Sequence, residues 1–156
     1  MSASQRLTDL GIVLPPVVPP TAIYVPAKRA GNLLFTSGQM PYEDGVLRTT
    51  GKVGAEVDVE RAQELARACA INALAVIDKE VGIDSVAEVI KVLGFVSSAD
   101  GFTDQPTVVN GASALFVEVF GAAGHHARSA VGMAELPMGA PVEVEVIVRI
   151  EDAPEI

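Results

Sequence analysis

Residues 142–150 read Val142-Glu143-Val144-Glu145-Val146-Ile147-Val148-Arg149-Ile150. β-Branched residues hold all five even positions, and charges hold three of the four odd ones. Successive strand side chains point to opposite faces, so this alternation predicts a strand with one face in the core. Ile147 breaks the polar series, which leaves the second face only half polar. Upstream the period changes. Val59, Ala62, Leu65, Ala66, Cys69, Ala73, Val76 and Ile77 recur at three- and four-residue steps. They form one face of a helix that Asp58 caps and Gly82 ends. Much of that face is Ala, which lets the helix sit close on a sheet.

The remaining elements fall around these two. Ala22–Ala27 and Asn32–Gln39 predict a β-hairpin, with its turn at Lys28-Arg29-Ala30-Gly31. Met40–Val57 is irregular, with a short edge strand expected at Val46-Leu47. Val86–Val96 reads as a buried strand. A second helix opens at Thr103 or Asp104, has Pro106 in its first turn, and stops at Gly121. Its stripe is Val108, Ala112, Leu115, Phe116 and Val119. Arg128–Leu136 predicts a strand, and Pro137–Pro141 a turn that brings the last strand antiparallel to it. The order implies an α+β fold: a mixed sheet with hairpins at both ends and two helices on one face. Self-association is the simplest cover for the half-apolar second face. Residues 1–20 form a proline-rich arm, extended through Leu14–Pro20, ahead of a single domain at 21–156.

At 156 residues one sizeable core can form without staples. The net charge of −9 and the scattered Lys and Arg weigh against nucleic-acid binding. The lone Cys69 cannot form an intrachain disulfide and reads as a small core residue in a reducing compartment, the cytoplasm. No uninterrupted apolar run is long enough for a membrane span, and Met1–Leu14 lacks a signal peptide's apolar core.

Few residues offer chemistry. His125 and His126 are adjacent, make a poor pair of ligands for one metal, and read as solvated loop residues. Phosphate loops, dinucleotide fingerprints and nucleophile elbows are absent. What remains is Arg128, whose guanidinium can hold a carboxylate through two parallel hydrogen bonds, and Glu143. In an antiparallel pair their positions lie at opposite ends, so a site using both is most natural at a subunit junction.

The ordered set Thr36-Ser37-Gly38-Gln39, Asn110, Arg128-Ser129-Ala130-Val131, Leu136-Pro137 and Val142-Glu143-Val144-Glu145 resembles the Rid (YjgF-type) superfamily. The resemblance spans about Ala22–Glu151. It implies a chorismate-mutase-like fold, a homotrimer built around a central barrel, and three clefts at the subunit interfaces. It further implies hydrolysis of small 2-imino or 2-enamino acids to 2-keto acids and ammonia, with no metal or organic cofactor. Carried onto this chain, the carboxylate-binding arginine is Arg128 and the acid near the attacking water is Glu143. Tyr24, Ser37, Gly38, Asn110 and Ala130 line the substrate site. Three positions depart from the family pattern. Ala130 replaces a small thiol-bearing residue, Ala22-Ile23 replaces Gly-Pro before the tyrosine, and His126 replaces a proline two residues before the arginine. A non-catalytic trimer that binds a small carboxylate is the alternative. Ribonuclease activity, found in some relatives, sits badly with the acidic balance.

Overall fold

The computed structural model describes residues 1–151. The last five residues of the domain expected over 21–156 lie outside the described ones. Helix α1 (Ala3–Asp9) opens the chain, with the Ser2 hydroxyl accepting from the Gln5 amide at 3.2 Å. The sequence reading had no helix in this arm. Seven residues are too few for a helix to hold by itself. This one is held by docking: Leu7 is buried, and the Ser4 amide and hydroxyl both donate to Asp84, at 2.8 and 2.6 Å. Residues 12–26 then run without helix or strand.

Strands β1 (Ala27–Ala30) and β2 (Leu33–Thr36) form an antiparallel hairpin. The hairpin was expected, but its turn lies at Gly31-Asn32 and residues 22–26 lie outside it. Gly31, with φ +60°, takes the first of two turn positions, where a two-residue hairpin loop favours glycine. The expected strand at Val46-Leu47 is reduced to an isolated bridge between Glu43 and Val46.

Helix α2 (Val59–Val81) begins and ends as read, with the Asp58 carboxylate accepting from the Arg61 amide at 2.8 Å. Strand β3 (Val86–Ser97) and helix α3 (Gln105–Phe120) follow, then β4 (Ala127–Met133) and β5 (Val142–Ile150). The sheet order is β1-β2-β5-β3-β4. This corrects the expected second hairpin: β4 and β5 are not neighbours, because β3 lies between them. The physical reason is the crossover. A helix the length of α3 returns the chain parallel to β3, so β4 pairs with β3 in parallel. Pro137–Pro141 then carries the chain past β3 to its other edge, where β5 pairs antiparallel with both β3 and β2. The strand read as far as Leu136 stops at Met133.

Both helices cover one face. Val142, Val144, Val146, Val148 and Ile150 are buried there beside Val92, Val96, Leu65, Leu115 and Phe116. Residues 105–124 are long and apolar enough to meet a membrane-span criterion, yet α3 buries Val108, Val109, Ala112, Leu115, Phe116 and Val119 in this core. Two glycines set the helix spacing. A methyl on Gly111 would lie 2.0 Å from the Gln63 carbonyl oxygen of α2, and one on Gly94 would lie 2.3 Å from Val109. On the opposite face of the sheet, Phe35, Val131 and Met133 remain 38, 43 and 37 % exposed.

Candidate functional site

The predicted site residues fall into two groups. The first surrounds a cavity of about 410 Å³ lined by Tyr24, Ser37, Gly38 and Glu143, among others. Strand β5 supplies Glu143 from its outward-facing register, opposite Phe95 of β3. The segment leaving β2 supplies Ser37 and Gly38. It is held to β5 by the paired amides and carbonyls of Gln39 and Val144, at 2.8 and 3.0 Å. Ser37 ties the incoming arm down: its hydroxyl donates to the Val25 carbonyl at 2.6 Å and its amide to that of Pro26 at 2.7 Å. Gly38 is there for space. A methyl at that position would sit 1.9 Å from Glu143 Oε1, so the carboxylate lies directly over the glycine. Burial, with a smaller push from Glu145, raises the Glu143 carboxyl above its ordinary value. A raised carboxyl is a better proton acceptor near neutral pH than an exposed one.

The cavity also has an apolar lining, which the sequence reading did not anticipate. Val18, Pro19 and Pro20 of the arm form it, with Tyr42 and Met138. Met138 has φ +59° and ψ +16°, a left-handed conformation that costs a residue with a Cβ, yet its side chain stays 61 % exposed. The Tyr42 hydroxyl lies 3.9 Å from its sulfur.

The second group sits at the other edge of the sheet, on the helix-covered face. Arg128 pairs in register with the buried Val92, so its side chain leans against α3. One guanidinium nitrogen donates to Asn110 Oδ1 at 2.8 Å and to Ser113 Oγ at 3.2 Å. The other donates to the Pro106 carbonyl at 3.3 Å. All three partners are neutral, so the guanidinium is oriented without a carboxylate partner among the described residues. Ala130 follows on the same face, packed against the core. Asn110 and Ser113 are three residues apart and share a helix face, a spacing that could have pointed to Ser113 from the sequence.

His126 also belongs to this group, which corrects its reading as solvated; His125 is exposed, as expected. The His126 ring meets Phe116 edge-on, with centroids 6.0 Å apart. Nε2 lies 2.9 Å from Ser113 Oγ, and Nδ1 lies 2.6 Å from the Gly124 carbonyl. Burial first, and then the charges of Arg128 and His125, lower its pKa below the ordinary imidazole value. Cys69 is the core residue expected: it is fully buried, its thiol lies 3.5 Å from the Val142 carbonyl, and burial pushes its pKa up.

Within one chain the two groups do not meet. Glu143 and Arg128 flank β3 on opposite edges, at levels three residues apart (roughly 10 Å along the strand), and they point to opposite faces.

A model of the family described as "YjgF/chorismate_mutase-like, putative endoribonuclease" matches residues 4–148. Protein TCP17 of Trypanosoma cruzi is 43 % identical, over 96 % of this chain and 94 % of its own length. The 2-iminobutanoate/2-iminopropanoate deaminase of Dermatophagoides farinae is 33 % identical, over 90 % and 96 %. The crystal structure of the Agrobacterium tumefaciens protein Atu1372, described as of unknown function, superposes with a TM-score of 0.89 at 46 % identity, covering 96 % of this chain and 92 % of that one. The mixed sheet under two long helices, the ordered residues around its two ends and these matches agree: the chain belongs to the YjgF-type (Rid) superfamily.

Proposed function

We propose that the protein is a cytoplasmic homotrimer that hydrolyses 2-imino and 2-enamino acids to 2-keto acids and ammonia, in clefts that each take Arg128 from one subunit and Glu143 from its neighbour. One observation carries this reading. An oriented cation with neutral partners and a half-buried acid over a cavity lie on opposite faces of one protomer, where only a second copy can bring them together. The exposed Phe35, Val131 and Met133 supply apolar surface for that contact.

The chemistry follows from the groups. Arg128 grips the substrate carboxylate through two parallel hydrogen bonds and so fixes the adjacent C=N carbon. Water attacks that carbon once the imine nitrogen is protonated, and Glu143 takes the water's proton. Glu143 then hands the proton to the amine nitrogen of the resulting carbinolamine. Glu143, a carboxylate again, takes the hydroxyl proton as the C–N bond breaks; ammonia leaves and the 2-keto acid remains. An enamine must first be protonated at carbon. The apolar lining of Val18, Pro19, Tyr42 and Met138 favours an uncharged substrate side chain.

The test couples an amino-acid oxidase, which releases the imino acid, to semicarbazide, which traps it. Wild-type protein lowers semicarbazone formation, and Arg128→Ala does not. If both are inactive while pyruvate still binds the wild type, the protein is instead a carboxylate-binding trimer. Light scattering that finds a single protomer in dilute solution removes the shared cleft altogether.

The glycine beneath the acid gives a second test. Position 38 has no positive φ, so alanine fits the backbone and only the Glu143 carboxylate must move. Gly38→Ala lowers the deamination rate at least about tenfold, while leaving the melting temperature within a few degrees of wild type. Unchanged activity would mean that the position of this carboxylate does not matter.

A further inference from the structure

We infer that His126 is a positioning residue that sets the direction of the Arg128 guanidinium through the hydroxyl of Ser113. The inference rests on the reading of Arg128 as the carboxylate anchor and adds the device that aims it. Donor and acceptor roles leave one arrangement. The Gly124 carbonyl can only accept, so Nδ1 of His126, 2.6 Å away, carries the ring proton. In the neutral ring Nε2 is then a bare acceptor, and the hydrogen at 2.9 Å comes from the Ser113 hydroxyl. Arg128 has only donors, so Ser113 Oγ accepts from it at 3.2 Å. The hydroxyl is thus turned by His126 so that its lone pair faces the guanidinium. Asn110 holds the same guanidinium nitrogen from 2.8 Å, and the two acceptors together fix the plane of the fork.

The ring is itself fixed, edge-on to Phe116 and half-buried. The charged and titratable groups that bear on it are Arg128 of β4 and the neighbouring His125, while α3 presents Ser113 and Phe116, which do not titrate in this range. Burial first, and then the two basic neighbours, hold the imidazole pKa below its ordinary value against the upward pull of the Gly124 hydrogen bond. A second proton would make Nε2 a donor. Ser113 would then have to accept from both sides with its own hydrogen turned away, and an imidazolium would face the guanidinium. Carboxylate affinity is therefore level at neutral pH and falls on the acid side of the ordinary imidazole range.

The experiment measures pyruvate binding by calorimetry on the full-length protein, with melting temperatures recorded alongside. His126→Phe keeps a ring against Phe116 and removes the acceptor. Ser113→Ala breaks the same chain on the helix, where truncation to alanine suits the backbone. Each weakens pyruvate about tenfold and raises KM for the imino acid more than it lowers kcat. The double variant also weakens binding about tenfold rather than a hundredfold, because both changes cut one connection. Ser113→Thr, which keeps the hydroxyl, stays within about twofold of wild type. His126→Phe lacks the acid-side loss of affinity. Wild-type affinity in His126→Phe, or additive losses in the double variant, would overturn the inference. Arg128→Ala separates the levels: it abolishes pyruvate binding if the anchor is correctly read. If it binds pyruvate normally, the anchor reading itself fails.

Discussion

Equal amounts of Arg128→Ala and Glu143→Gln chains, coexpressed so that they assemble together, recover about a quarter of the wild-type deaminase activity, although each variant alone is nearly inactive. Alone, each has lost a group that every cleft needs: the carboxylate anchor in one case, the proton acceptor in the other. General base removal by itself costs roughly 10²- to 10⁴-fold. In mixed trimers a cleft works when its arginine comes from a Glu143→Gln chain and its glutamate from an Arg128→Ala chain. With random assembly each condition holds about half the time, so about one cleft in four is complete. The opposite faces taken by the two side chains in one protomer are the reason to expect this. A mixture no more active than its parents would show that both groups of a cleft come from one chain, or that neither acts.

The largest stability effect is expected at Gly111. On an isolated helix, alanine in place of a mid-helix glycine gains about 1 kcal/mol. Here the added methyl would meet the Gln63 backbone carbonyl of α2 at 2.0 Å, and a backbone cannot swing aside as a flexible side chain can. The two helices would have to separate, loosening Leu65, Val108 and Leu115 between them and the sheet, and stretching the 2.8 Å bond from Gln63 to the Thr107 carbonyl. Overpacking of this kind costs about 3 kcal/mol. The net loss is about 2 kcal/mol, a fall in melting temperature of roughly 4–8 °C for a chain of this size. Thermal unfolding followed by circular dichroism measures it. A rise in melting temperature would mean that the helices do not touch at this glycine.

The same contrast runs through what could be read in advance. Val142–Ile150 and Val59–Ile77 are periodic over many residues, so their secondary structure and buried faces follow from local geometry. Asp58 and Gly82 mark the ends of α2 for equally local reasons, a side-chain cap and a left-handed exit. The hairpin turn was displaced because Lys28–Gly31 and Gly31-Asn32 are both acceptable turns in isolation. Pairing with β5 through Leu33, Leu34 and Phe35 selects the second. The candidate site was legible in part: Arg128 and Glu143 stood out as residue types, a cation and an acid on otherwise apolar strands, while Gly38 and Asn110 were reached only through the family resemblance. It was not legible as a place. Ser113, His126, Val18 and Met138 owe their roles to neighbours that are distant in sequence or to a backbone angle, and neither leaves a mark in composition.

Sequence alone therefore determined the periodic elements, the apolar face of the sheet and the chemical kinds of group available, since each depends on side chains a few residues apart. Tertiary structure decided which strand lies between which, because the crossover through α3 places β3 between β4 and β5. With that order Arg128 leans on the helices at one edge while Glu143 faces the other side over Gly38. Those placements come from pairing and packing between segments far apart in the chain, which no local pattern encodes.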